Sequence, residues 1–230
     1  MGPHRRDRGG HHGGAVTDRT DKQTGRAAVD TVVFDVGGVL LEWDPMRLYR
    51  RLLADEQEAR SFLDDVCTTE WNREQDRGRP LAVATALLEQ RHPDRVALIR
   101  AYYRRWDEML AGSVGGSVRL LDELRAAAVP CYALTNFSAE LFPRARQRYP
   151  FLHAFNGVVV SGREGVIKPD PAIYRRLLAR YSLDPARTFF VDDVQANIDA
   201  ARRLGLVAHR FTGPDALREA LASHGLPVAA

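Results

Sequence analysis

Four strand-forming residues, Thr31-Val32-Val33-Phe34, run straight into Asp35, and Gly37 and Gly38 follow at once before Val39-Leu40. A run that is apolar without alternation reads as a strand buried on both faces, the condition found inside parallel sheets. Asp35 then stands at the carboxyl end of that strand, the edge where open α/β sheets bind ligands. The glycines permit a sharp exit and a close approach of backbone to ligand. The same stretch, taken alone, also fits a strand closed by an ordinary turn aspartate, because short motifs are weak evidence.

The rest of the chain narrows the choice. Strand-like runs recur at residues 129–134, 157–160, 188–191 and 206–211. Helical patterns separate them from Val118 onward: residues 118–128, 138–148, 171–181, the stretch carrying Asn197 and Asp199, and 214–223. This alternation implies an α/β fold, a doubly wound, Rossmann-like parallel sheet. Asp170 reads as an N-cap with Pro171 at the first helical position, and Ser138 as the cap of the helix it opens. Between Pro45 and Gly112 no strand is expected. Residues 46–53, 55–66, 81–92 and 94–110 read as helices, the last from Val96, Ile99, Tyr102, Tyr103, Trp106 and Leu110 at three- and four-residue steps. Residues 41–45 read as a turn, 71–80 and 162–166 as loops, and 112–116 as a hinge-like linker. The expected organisation is a basic tail over residues 1–28, a core over 29–44 and 113–230, and an inserted helical block over 45–112.

With 230 residues, 45% hydrophobic and 27% charged, the chain can bury one α/β core with an insertion. The net charge of +3 is local. Residues 1–26 hold six basic side chains (Arg5, Arg6, Arg8, Arg19, Lys22, Arg26) against three acidic ones (Asp7, Asp18, Asp21), so the remainder is formally neutral. The charge therefore makes no case for a nucleic-acid partner. The tail has no apolar period and is expected to be disordered, with His4, His11 and His12 solvated. No stretch fits a secretory signal or a membrane span. Cys67 and Cys131 make no disulfide framework. The expectation is a cytoplasmic monomer or homodimer with no membrane partner.

The polar residues that carry chemistry fall at strand ends or in the loops beside them: Asp35, Thr135-Asn136, Lys168 and Asp192-Asp193. A parallel sheet brings these loops to one edge. Three carboxylates gathered at one spot need compensating charge, which Lys168 supplies in part. A hard divalent cation with oxygen ligands supplies the rest, and Mg2+ fits best. A hydroxyl, an amide and an ammonium around such a pair form a cradle for a phosphoryl group. Each piece alone has a plainer reading: a surface lysine, the end of a strand, a helix cap. Their occurrence in this order, each tied to a separate strand, argues for function.

This arrangement resembles the haloacid dehalogenase superfamily of hydrolases, most of which are Mg2+-dependent phosphatases; the likeness spans about residues 29–225. Phe34-Asp35-Val36-Gly37-Gly38-Val39-Leu40 is similar to the family's first motif, which implies that Asp35 is the nucleophile. Leu134-Thr135-Asn136 resembles the second, Ile167-Lys168-Pro169 the third, and Val191-Asp192-Asp193 with Asn197 the fourth. The resemblance implies Mg2+ held by Asp35, the Gly37 carbonyl and Asp192, with Asp193 assisting, and a substrate set by Gly37, Gly38 and Asn136. It also implies that the helical block is a cap that closes over the site. Trp71 and Arg77, in the charged loop 71–80, are then candidates for substrate choice.

One position departs from the pattern. Phosphatases of this family usually carry a second aspartate, a general acid and base, where this chain has Gly37. Asp44 is the nearest substitute and Glu42 the next, although Asp44 before Pro45 also reads as a helix cap. The Asp-x-Gly pattern looks most like a subgroup that includes an α-D-glucose-1-phosphate phosphatase, which implies a small, sugar-phosphate-like ester as substrate. Two alternatives stay open: a 2-haloacid dehalogenase using Asp35 on carbon without metal, and a non-catalytic binding protein on the same scaffold.

Overall fold

A computed structural model describes residues 28–229; all but the last residue of the tail expected to be disordered lies outside them. In chain order the elements are β1 (Thr31–Phe34), β2 (Leu41–Trp43), α1 (Met46–Tyr49), α2 (Glu56–Asp65), α3 (Thr69–Asp76), α4 (Leu81–Arg91), α5 (Val96–Arg104), β3 (Leu110–Ser113), α6 (Gly115–Ala126), β4 (Cys131–Thr135), α7 (Phe142–Arg148), β5 (Gly157–Val160), α8 (Ser161–Glu164), α9 (Pro171–Tyr181), β6 (Thr188–Asp192), α10 (Gln195–Arg203), β7 (Val207–Arg210) and α11 (Pro214–Ser223).

Five strands form one parallel sheet in the order β5-β4-β1-β6-β7. The first strand of the chain is therefore the middle one. Val32 sits beside Cys131 on one side and Phe189 on the other, and every residue of β1 is buried. That double burial is why the run shows no polar alternation. Helices cover both faces. Val32, Phe34, Leu120, Leu124, Phe189 and Leu217 pack on one, and Val33, Leu134, Ile173, Tyr174, Leu177 and Ile198 on the other. The doubly wound sheet expected from the alternation is present.

The helical block departs from expectation at its borders. The stretch read as a turn, 41–45, opens with β2, and the stretch read as a hinge, 112–116, runs from the end of β3 into the first turn of α6. β2 and β3 pair antiparallel, Leu41 with Ser113 and Glu42 with Gly112. Both chain crossings into the block thus form one ribbon. Three-residue and four-residue strands with few apolar residues leave too short a pattern to read. The presumed loop 71–80 is mostly α3. Its N-cap is Thr68, whose Oγ1 accepts from the Trp71 N–H at 3.0 Å. The helix hides from periodicity because its fully buried side chain is polar: Gln75 donates to the Tyr103 hydroxyl at 2.6 Å. The presumed loop 162–166 opens with the single turn α8. A buried cluster joins the block to the sheet, from Tyr49, Phe62, Tyr102 and Trp106 to Val36, Ala133 and Leu141. Among the described residues no helix is long and apolar enough to cross a membrane.

Candidate active site

The carboxyl ends of β1, β4 and β6 bring the predicted polar residues together. Lys168 reaches in from the loop before α9 and is almost fully buried. Its Nζ lies 2.8 Å from Asp35 Oδ1 and 2.6 Å from Asp192 Oδ2, and donates to the Leu134 carbonyl at 2.9 Å. Asn136 fixes this loop with both ends of its amide: Oδ1 accepts from the Lys168 N–H at 2.7 Å and Nδ2 donates to the Lys168 carbonyl at 3.0 Å. The residue after β4 therefore sets where the ammonium lies.

The acid pair divides its work. Both oxygens of Asp192 accept from Asn197 Nδ2, at 2.9 and 3.0 Å; Oδ1 also takes the Val194 N–H at 2.8 Å. With Lys168 on Oδ2, the lone pairs of Asp192 are occupied. Asp193 is half-buried, and among the described residues no other side chain hydrogen-bonds its carboxylate. Carboxylate oxygens of Asp35, Asp192 and Asp193 all lie within 4.8 Å of one another. The metal set implied by the resemblance names Asp192, with Asp193 assisting. The geometry gives Asp192 to Lys168 and Asn197, and leaves Asp193 open beside Asp35.

The electrostatics follow from burial. Asp35 is pushed up to about 8, first by its removal from water and then by Asp192 and Asp193, against the pull of Lys168. Burial would lower Lys168, but Asp192 and Asp35 outweigh it and hold the ammonium charged. Asp193 is raised by burial and by Asp192. Three carboxylates against one ammonium leave an excess of negative charge in a half-enclosed site, the setting that a hard divalent cation relieves. The donor set fits one: Asp35 and Asp193 offer free oxygen lone pairs. Thr135 adds a hydroxyl to the site. Its hydroxyl is buried and, among the described residues, has no hydrogen-bond partner, which calls for an explanation.

A cavity of about 120 Å³ adjoins Gly37 between the sheet edge and the helical block. Its apolar walls are Leu41, Trp43, Trp106, Leu110, Phe137 and Leu141, and its polar ones Asn72, Asp76 and Asn136. A Cβ on Gly37 would meet no atom within 4 Å, whereas Gly38, at φ +73°, lies against Asp193.

Three further candidates lie elsewhere. Trp71 packs inside the block against Tyr102 and Tyr103. Arg77 is exposed and paired with its helix neighbour Glu74. Asp44 accepts from the Met46 N–H at 2.9 Å and faces solvent near Arg50, so it caps a turn. In their place the cavity presents Asn72 and Asp76. Helical spacing could have found them: positions 72 and 76 share a face one turn apart, a signal lost when the segment is read as a loop.

Residues 29–205 match the family described as haloacid dehalogenase-like hydrolase. The chain belongs to this family. Among curated relatives of this hydrolase is the sesquiterpene phosphatase astK of Aspergillus oryzae, 27% identical over 183 residues, 78% of this chain and 88% of that protein. Among solved structures similar to this haloacid dehalogenase-like hydrolase is a family enzyme from Bacteroides thetaiotaomicron in complex with magnesium and inorganic phosphate. It is 18% identical, with a TM-score of 0.62, over 80% of this chain and 95% of that one. The L-2-haloacid dehalogenase of Xanthobacter autotrophicus with chloropropionic acid covalently bound also shares the fold, at 19% identity and a TM-score of 0.58, over 87% and 85% of the two chains.

Proposed function

We propose that this hydrolase is a Mg2+-dependent phosphoric monoester hydrolase that works through an aspartyl-phosphate on Asp35. The observation that carries the reading is the open carboxylate of Asp193 beside Asp35, which Lys168 does not neutralise. Displacement at carbon needs one carboxylate nucleophile; an extra uncompensated carboxylate next to it would only repel a haloacid's own charge. A phosphoryl group brings oxygens that share a cation with those carboxylates. Asp35, Asp193 and the Gly37 carbonyl would hold Mg2+, which supplies charge neutralisation for the phosphoryl oxygens.

The chain's own groups do the rest. Asp35 attacks phosphorus with the oxygen not committed to Lys168 and to the Val36 N–H, both of which lie on Oδ1. Lys168 holds that carboxylate in place and stabilises charge on the phosphoryl oxygens. Thr135 offers its unpaired hydroxyl to one of those oxygens.

The cavity walls favour an aryl or isoprenoid alcohol over a sugar. Sugar hydroxyls set against Trp43, Trp106, Phe137, Leu110 and Leu141 would lose water without gaining partners. The likeness to a sesquiterpene phosphatase supports the same preference.

The test measures phosphate released from aryl, isoprenoid and sugar phosphates with Mg2+ and with a chelator, beside halide released from 2-chloropropionate. Phosphate release that needs Mg2+ and disappears in Asp35→Asn is expected. Halide release without metal, and none of phosphate, would give the dehalogenase reading the site.

A further inference from the structure

The oxygen of a poorly acidic alcohol is a poor leaving group unless it is protonated as it departs, and Gly37 has no side chain to supply the proton. Among the described residues, Asp76 is the one ionisable side chain in the wall of the cavity beside Gly37. It comes from the helical block, at the last residue of α3. Its placement is built. The Asp76 carbonyl accepts from Ser161 Oγ at 2.5 Å, and that same oxygen accepts from the Phe137 N–H at 2.9 Å. The end of α3 is thereby tied to the loop after β4, where Asn136 positions Lys168. Around the carboxyl, Asn72 Nδ2 lies 3.4 Å from Oδ2, and Asn72 is itself held by the Tyr103 hydroxyl at 3.1 Å. The Ser138 N–H also faces the carboxyl.

We infer that Asp76 is the general acid and base of this enzyme, supplied by the helical block across the cavity in place of the side chain that Gly37 lacks. The inference rests on the phosphatase reading above. In the first step an Asp35 oxygen bonds to phosphorus, the bond from phosphorus to the leaving oxygen breaks, and that oxygen takes the proton of the Asp76 carboxyl. In the second, the Asp76 carboxylate takes a proton from water. The water oxygen bonds to phosphorus, and the bond from phosphorus to Asp35 breaks, releasing inorganic phosphate. The charge environment suits the role. Burial pushes Asp76 up to about 7, against the Ser138 N–H and Arg73; Tyr102 and Tyr103 of α5 face it as neutral groups held well above their usual range. The end of a helix disfavours a negative charge further.

The experiment compares kcat/KM for 2,4-dinitrophenyl, 4-nitrophenyl and phenyl phosphate, with Mg2+, in the native chain, Asp76→Asn and Asp76→Asn with Gly37→Asp. A general acid contributes about 10²–10⁴-fold. Asp76→Asn is expected to lose about that factor with phenyl phosphate and only a few-fold with dinitrophenyl phosphate, which leaves unaided. Gly37→Asp, for which the cavity has room, restores the phenyl ester. The native pH profile gives a reading without any variant: a falling limb near 7 for phenyl phosphate that dinitrophenyl phosphate lacks. Equal losses across the three esters, no loss, or identical pH limbs in the native chain would overturn the role of Asp76 and leave the phosphatase reading standing. A native chain that releases no phosphate even from dinitrophenyl phosphate would overturn both.

Discussion

Gly38 and Asp193 occupy adjoining space that admits only one side chain: a Cβ on Gly38 would stand 2.3 Å from Asp193 Oδ2. Gly38 also holds φ +73°, a conformation that costs other L-residues about 1–2 kcal/mol. Gly38→Ala should therefore displace the Asp193 carboxylate, lowering stability by at least about 1 kcal/mol and weakening Mg2+ binding. Gly37→Ala meets no atom and has no positive φ, so it should leave both unchanged. Paired denaturant melts and Mg2+ titrations decide it; equal effects at the two glycines would contradict the geometry.

The two members of the acid pair should separate on mutation. Asp193→Asn is expected to fold as the native chain does and to need at least about tenfold more Mg2+ for half-maximal activity, since it removes an open ligand. Asp192→Asn strips a buried partner from Lys168 and should destabilise the fold, by up to about 3–5 kcal/mol as for a broken buried pair. Half-saturation by Mg2+ and chemical denaturation, run on both variants, test the division; the reverse pattern would return the metal to Asp192.

Thr135 holds a buried hydroxyl with no partner among the described residues. Leaving such a group unsatisfied costs about 1–3 kcal/mol. Thr135→Val should thus raise the stability of the ligand-free protein by about 1 kcal/mol while weakening inhibition by inorganic phosphate. A loss of stability would show that the hydroxyl serves the fold instead of a ligand.

Asp76 predicts a pH dependence of stability. Its folded value of about 7 lies above the usual 3.8, so between them the folded chain holds a proton that the unfolded chain has released. Stability then falls as pH rises across that window. Asp35 titrates in the same direction, so the readout is a difference. Asp76→Asn should flatten the decline in melting temperature between about pH 4 and 7 relative to the native chain. Parallel slopes would mean that Asp76 ionises normally in the folded state.

Much of the site was legible along the chain. Asp35, Lys168 and Asp192-Asp193 each sit at the end of a buried run or beside a proline-capped helix, and those local signals survive folding unchanged. The helical block was less legible. In α3 the inward face carries Gln75 and Asn72, bound to Tyr103, so polarity hid a helix whose core contacts are hydrogen bonds. In β2 and β3 the strands are shorter than one readable period.

Runs buried on both faces and capped helices are local properties of the chain, so the parallel sheet, the order of its helices and the family could be read from residue order. The packing of distant segments fixed the rest. It settled that Asp192 is spent on Lys168 and Asn197 while Asp193 stays open. It left Trp71 and Arg77 out of the cavity wall and put Asp76 in the wall that Gly37 shares. These assignments depend on which lone pairs are already occupied and which surfaces meet in the folded chain, as Ser161 meets Asp76 at a separation of 85. A local pattern marks the helix face that Asn72 and Asp76 share, but not what that face meets.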